Sequence, residues 1–177
     1  VDALATAQAA RFIYLNKTCW NGLWRVNRAG RFNVPAGVYK NPAIYDAELL
    51  QACHVALQRT VLFADDYDTI LALAMTARNG PAFCYLDPPY VPTSETANFT
   101  GYTAGGFDPD HELQRLRTRC DQLDANGHKF MLSNSDTPLV RATFADYHVT
   151  SVSRSGSINS AATKRGAVPE LVIRNYQ

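Results

Sequence analysis

No apolar run in the 177 residues approaches the roughly 20 residues needed to cross a bilayer. The N-terminus has no basic-then-apolar leader pattern, so a cytoplasmic setting is expected. Paired cysteine spacing is missing too. Cys19, Cys53, Cys84 and Cys120 stand far apart, which excludes a zinc-ribbon or C-x-x-C redox motif and predicts free thiols. His54, His111, His128 and His148 are equally scattered, so no metal site is expected. Repeats and low-complexity tracts are absent. The most telling gap is in one sign of charge. Between Ala3 and Tyr45 there is no Asp or Glu, yet Arg11, Lys17, Arg25, Arg28, Arg31 and Lys40 all lie there. A second acid-free stretch, Tyr147 to Pro169, holds Arg154, Lys164 and Arg165 among Ser, Gly and Asn. The net charge is +1. Two basic stretches on a near-neutral chain fit either a polyanion partner met on one face or a solvated basic surface.

What is present is concentrated at Asp87-Pro88-Pro89-Tyr90. The apolar run Ala82-Phe83-Cys84-Tyr85-Leu86 before it reads as a buried strand. In open α/β sheets, ligands bind at the carboxyl ends of strands. An acid, two prolines and an aromatic at that place resemble the catalytic motif of amino-group methyltransferases. The exocyclic amine of a base is a poor nucleophile because its lone pair is conjugated into the ring. Acceptors on its two hydrogens localise that pair, and the Asp87 carboxylate and the Pro88 carbonyl are suited to this. Consecutive prolines have fixed φ and no N–H, which stiffens the loop that aims the acceptors. Tyr90 offers a flat face for stacking. Such catalysis needs positioning and fixed dipoles, with no covalent intermediate. Asp and Pro are also common turn residues, so a plain strand-to-loop turn is the competing reading.

The surrounding chain predicts a helix over Leu4–Leu15, then loops and short turns from Asn16 to Asn41. Asp46 is placed to cap a helix with Leu49, Leu50, Cys53, Ala56 and Leu57 on one face. Val61-Leu62-Phe63 reads as a strand, and Asp68 to Arg78 as a helix with Ile70, Leu71 and Ala74 inward. Val91 to Asp108 is a long loop. A helix follows from Asp108-Pro109 to about Ala125, stopped by Asn126-Gly127, and then a strand over Lys129–Leu132. A short helix near Pro138–Phe144 and strands near Tyr147–Ser153 and Glu170–Arg174 complete the chain. Alternating strands and helices predict an α/β fold with a mostly parallel sheet, its last two strands forming an antiparallel edge pair.

With these segments in place, the chain resembles the Dam family of DNA adenine methyltransferases over nearly its whole length. The matching pieces run in the family's order. They are Phe12 through Asn27, Gly30-Arg31-Phe32-Asn33-Val34-Pro35-Ala36-Gly37, the Asp87–Tyr90 motif, Asn98-Phe99-Thr100, Leu132-Ser133-Asn134 and Glu170-Leu171-Val172-Ile173. The resemblance implies a Rossmann-like methyltransferase sheet that uses S-adenosylmethionine. It also implies a small helical DNA-recognition region, with residues 1–57 recognising the target and 58–177 carrying catalysis. It implies double-stranded DNA as partner, a GATC-like target, and association with the nucleoid of a bacterial or phage-infected cell. Asp87, Pro88, Pro89 and Tyr90 become the catalytic set. Asp66 and Tyr67, with Asp87, fall on the cofactor side. Trp20 occupies the place of an aromatic that wedges into the duplex and offsets the cost of flipping the adenine. Asn21, Leu23 and Arg25 resemble readers of base edges, an Arg on guanine being the commonest specific contact. Pro35, Tyr39, Lys40 and Asn98 resemble further DNA contacts, while Val38 departs from a position where relatives carry Arg. The loop with Arg154, Lys164 and Arg165 reads as a DNA clasp or as disorder. Simpler readings stand beside these: Trp24 as a core aromatic, Arg28 and Arg31 as solvated charges, Asp65 and Asp66 as helix caps, and Asn134 as a turn residue.

The family's Phe-x-Gly-Gly cofactor turn has no counterpart between Val1 and the recognition segment. Gly105-Gly106, the one glycine pair, has no strand before it. The expectation is therefore a fragment of a larger enzyme, or a shortened homologue that binds DNA without methylating it, with weak cofactor binding by this chain alone. Methylation of RNA or of a protein glutamine is opposed by the Trp20–Gly37 segment. Methylation of the cytosine amine is opposed by Asp, rather than Ser, at the head of the motif.

Overall fold

A computed structural model describes residues 3–76, 80–93, 108–155 and 167–177, with the side chains of 154, 155, 167 and 168 outside the description. The chain divides into two units, Val1–Leu62 and Phe63–Gln177.

In the first unit, α1 (Ala3–Thr18) forms from an alanine-rich stretch without Gly or Pro, and Lys17 in its last turn complements the helix dipole. A single 3-10 turn follows at Trp20–Gly22, where Asn21 (φ 53°) and Gly22 (φ 64°) take left-handed backbone. Asn is one of the few side chains that tolerates this region. The Asn16 amide donates to the Gly22 carbonyl at 2.7 Å and holds the turn. Farther on, Asn27 Oδ1 accepts the N–H groups of Ala29 and Arg31, each at 3.0 Å, closing a tight turn between bridged Val26 and Phe32. Asp46 caps α2 (Ala47–Leu57) as expected, accepting the Leu49 N–H at 2.9 Å. Among the described residues of this unit Cys19 is the one that is buried.

Val61-Leu62-Phe63 is not a strand. It pairs with nothing among the described residues, and its side chains are 76%, 76% and 61% exposed. An apolar run becomes a strand when a neighbour takes its N–H and C=O groups, and none does here.

The second unit carries α3 (Tyr67–Met75), β1 (Phe83–Leu86), α4 (Pro109–Ala125), β2 (Lys129–Ser135), α5 (Pro138–Thr143), β3 (His148–Ser155) and β4 (Ala167–Arg174). The sheet order is β1-β2-β4-β3. β1 runs parallel to β2, and β4 runs antiparallel to both β2 and β3. Three strands thus point one way and β4 opposes them. The last two strands form the antiparallel edge pair expected, with β3 outermost and β4 inserted between β2 and β3. The reason is packing: Leu171 and Ile173 are 0% exposed and require the inner slot. Pro169 is tolerated because β2 pairs with Glu170–Arg174 alone, so one side of Pro169 needs no N–H donor.

α4 begins at Asp108, whose carboxylate accepts the Asp110 N–H at 3.1 Å, with Pro109 in the first turn. It ends at Asn126-Gly127. Leu113, Leu116, Cys120 and Leu123 form its buried stripe, clustered with Phe130 and Leu132 of β2 and with Leu171 and Ile173. Strand alternation turns Phe83 and Tyr85 to the opposite face, where they are exposed. β2 is longer than the Lys129–Leu132 expected, because Ser133, Asn134 and Ser135 find partners in Val172, Leu171 and Glu170. The four cysteines are free thiols.

α3 is tied to α4 by charge. Arg119 Nε and Arg115 Nε donate to the two oxygens of Asp68 at 2.6 and 2.8 Å. The hydrogen bond from Arg119 leads in holding the Asp68 carboxyl below the usual range, and Arg115 adds to it. A lowered folded-state pKa stabilises above the unfolded value, about 3.9, and the gain is lost as pH falls through the folded value. Asp68→Asn should therefore cost about 1–2 kcal/mol at pH 7. It should also flatten the acid limb of stability against pH, as read by thermal melts from neutral pH downward.

Candidate active site

The parallel register Leu86↔Leu132 sets the carboxyl end of β1 beside the last residues of β2, Ser133, Asn134 and Ser135. Asp87, the first residue beyond β1, therefore meets Ser133, whose hydroxyl donates to Asp87 Oδ1 at 2.8 Å. The same hydroxyl accepts from Tyr85 at 3.4 Å. Asp87 is exposed and free to use its remaining lone pairs. Pro88 and Tyr90 are half-buried. The loop is then pinned from below. Asn134, 1% exposed, accepts the Val91 N–H at 3.0 Å through Oδ1, which also accepts the Ser135 N–H at 2.8 Å. Asn134 is thus a strand residue that anchors the motif loop, not a turn residue. Burial pushes the Tyr90 phenol above its ordinary value against the pull of a hydrogen bond with Ser133, so its ring stays neutral.

Beside this loop lies a cavity of about 240 Å³. Pro88, Pro89, Val91 and Asn134 form one wall. Asp66 and Tyr67 at the start of α3 form another, and the first turns of α4 contribute Pro109, Glu112, Leu113, Arg115 and Leu116. Asp66 does two things at once: its Oδ1 caps α3 by accepting the Asp68 N–H at 2.9 Å, and it borders the cavity. The Tyr67 hydroxyl is buried and finds no partner among the described residues. Burial, the leading cause, pushes its pKa up to about 12, so it is a neutral donor. A buried hydroxyl beside a cavity is available to an acceptor placed in that cavity.

Asp66, Tyr67, Pro88 and Pro89, chosen from sequence, therefore meet around one cavity, with Asp87 at the adjacent end of β1. Two further residues join this arrangement without a local signal in the sequence: Ser133, bonded to Asp87, and Arg115, which lines the cavity. Ser133 lies within the Leu132-Ser133-Asn134 piece, but its bond to Asp87 depends on strand register. Arg115 looks like one more exposed helix charge.

Trp20, Asn21, Leu23, Arg25, Pro35, Tyr39 and Lys40, expected from the sequence to meet DNA, lie in the first unit. Trp20 is 43% exposed in the 3-10 turn, and its backbone N–H donates to the Pro35 carbonyl at 2.9 Å. Asn21 and Arg25 are exposed, and Leu23 is half-buried. Arg25 is held by Asn33, with Nε on Oδ1 at 2.9 Å and Nη2 on the backbone carbonyl at 3.2 Å. The Tyr39 hydroxyl donates to the Cys19 carbonyl at 3.1 Å, and Lys40 is exposed. A Cβ on Gly37 would fall on the Tyr39 ring, which explains glycine there. Trp24 was expected in a core. Instead it is 48% exposed, flanked by Phe12 and Phe32 at centroid distances of 4.6 and 5.0 Å. Small aromatic stacks replace a deep core in this unit. Asn98, Lys164 and Arg165, and the side chain of Arg154, lie outside the described residues.

An α/β sheet that presents an acid-Pro-Pro-Tyr loop beside a cavity of about 240 Å³ is consistent with a methyltransferase fold. Comparison with known proteins makes this specific: residues 1–158 match the D12 class N6 adenine-specific DNA methyltransferases, and the chain belongs to that family. It is 37% identical to the type II methyltransferase M1.LlaDCHI of Lactococcus lactis subsp. cremoris, over 99% of this chain and 61% of that protein. It is 37% identical to the type II methyltransferase M.MjaIII of Methanocaldococcus jannaschii, over 99% of this chain and 60% of the relative. The DNA adenine methylase of Escherichia coli K12 is 37% identical over 93% of this chain and 57% of its own length. The chain thus spans about 60% of the length of the relatives it matches. No described helix is long and apolar enough to cross a membrane.

The Ser133 hydroxyl fixes the rotamer of Asp87 without touching the exposed oxygen. Ser133→Ala should leave the melting temperature nearly unchanged. With Asp87 in the role proposed below, it should lower single-turnover methyl transfer to DNA by about tenfold or more, since small misplacements of an orienting group carry such costs.

Proposed function

We propose that this chain carries the amine-activating and target-recognition parts of a DNA adenine N6-methyltransferase. Its methyl donor is S-adenosylmethionine, and its target is a flipped adenine in a short GATC-like site of double-stranded DNA. One observation carries the reading: the Asp87 loop, fastened to β2 by Ser133 and Asn134, borders the same cavity as Asp66 and Tyr67. At about 240 Å³ this cavity is smaller than a typical site for a whole cofactor and suits the nucleoside part of the donor. Asp66 and Tyr67 would hold that part: the unpaired Tyr67 hydroxyl supplies a donor and Asp66 an acceptor. When bound, S-adenosylmethionine supplies an electrophilic methyl sulfonium.

The remaining chemistry belongs to the chain. Asp87 accepts one hydrogen of the adenine amine, and the Pro88 carbonyl accepts the other, so the nitrogen lone pair points out of conjugation. Tyr90, neutral and half-buried, gives the flipped base a face to stack on. The methylated amine then loses one of its own hydrogens as a proton to solvent. Trp20 fills the space left by the flipped base, and Arg25, pre-set by Asn33, reads a base edge with Asn21 and Leu23. Pro35, Tyr39 and Lys40 extend this face, and Arg154, Lys164 and Arg165 add positive charge for the phosphate backbone.

Asp87→Ala tests this reading. Methylation of unmethylated duplex should fall by at least about a hundredfold while duplex binding by gel shift stays within about twofold. Full activity in that variant would refute the mechanism. Undetectable methylation by the unaltered chain, with duplex binding intact, would reduce it to a DNA-recognition module.

A further inference from the structure

Arg115 sits where three acidic side chains and an aromatic ring converge. Its Nε donates to Asp68 Oδ2 at 2.8 Å, Nη2 donates to Asp66 Oδ1 at 2.6 Å, and Nη1 reaches Glu112 Oε2 at 3.3 Å. Its guanidinium carbon lies 4.6 Å from the centroid of the Tyr67 ring. Every donor edge of a planar fork is thus in use while its face covers the ring, an arrangement that lysine cannot reproduce. Asp66, Tyr67, Glu112 and Arg115 all border the 240 Å³ cavity. Arg119 offers an internal comparison: it bonds Asp68 at 2.6 Å and Gln122 at 2.7 Å, but it is not among the cavity's lining residues.

We propose that Arg115 is a positioning residue for nucleoside binding: it sets the Asp66 carboxylate and the Tyr67 ring as a preformed wall for the adenosine part of the donor. The assignment rests on the donor reading of the cavity given above. A plain α3–α4 ion pair would contribute stability and nothing else, and Arg119 does that through Asp68. Arg115 additionally fixes the orientation of two cavity groups. Without it, Asp66 and Tyr67 would have to be ordered at the moment of binding, at a cost in affinity. Neutralising Arg115 would also leave Asp66, Asp68 and Glu112 facing one another without a cation at their centre.

Adenosine titrated into the full chain, followed by ligand-observed NMR at millimolar concentrations, is the test, with thermal melts run beside it. Arg115→Ala should weaken adenosine binding on the order of tenfold, and Arg119→Ala should stay within about twofold. Both should lower the melting temperature. Arg115→Lys keeps the charge and favours folding, so it covers the case in which the alanine variant does not fold. It should still lose most of the affinity. Unchanged adenosine binding in the Arg115 variants would overturn the assignment and leave the donor reading standing. Equal losses in the Arg115 and Arg119 variants, tracking their melting temperatures, would overturn it in favour of a structural ion pair. A folded unaltered chain that takes up neither adenosine nor S-adenosylhomocysteine would overturn the donor reading of this cavity, and the assignment with it.

Discussion

The parallel pairing of β1 with β2 is the constraint on which the site depends. The two strands run the same way and β2 continues past the end of β1, so the residues that follow β1 lie beside the last residues of β2. Asp87 therefore lands on Ser133, and the loop it opens is caught by Asn134. Antiparallel pairing would separate these residues by the length of a strand. The hydroxyl and the amide have unequal tasks. Ser133 orients one carboxylate and leaves the other oxygen exposed, whereas Asn134 spends its oxygen on two backbone N–H groups. One sets the carboxylate and the other sets the shape of the loop.

A second layer of order comes from charge. α3 carries no deep apolar stripe, with Leu71 its buried residue, so its placement against α4 relies on Asp68 and the two arginines. That choice has a functional side. An apolar contact would fix the helix but not the rotamers of Asp66 and Tyr67. A guanidinium fork with directional bonds fixes both. Hydrogen-bond geometry of this kind is what a small cavity needs if it is to meet a nucleoside without first rearranging.

Local chemistry was readable in the sequence, and nonlocal pairing was not. Asp46 and Asp108 cap the helices they precede, and Asn126-Gly127 ends α4, because capping and left-handed glycine are properties of a few adjacent residues. The Asp87–Tyr90 motif was legible for the same reason. The slot of β4 between β2 and β3 was not, since it depends on which strand buries Leu171 and Ile173. Val61–Phe63 has the composition of a strand but no partner among the described residues, and composition cannot supply one. Ser133 and Arg115 escaped because each acts on a residue 46 to 49 positions away, which no local pattern records. Trp24 shows the limit of residue preference: in a unit with little buried volume, it stacks between Phe12 and Phe32 rather than sinking into a core.

The central claim is that the Asp87 loop and the Asp66–Tyr67 wall form one site. Titration of S-adenosylhomocysteine into isotope-labelled protein, observed at the backbone amides of Tyr67 and Val91, tests it most directly. Both signals should move along a single binding curve, because Val91 is held by Asn134 at the border of the cavity that Tyr67 lines. Movement of Tyr67 with Val91 stationary, or separate curves for the two, would show that donor pocket and motif loop are independent and would contradict the account.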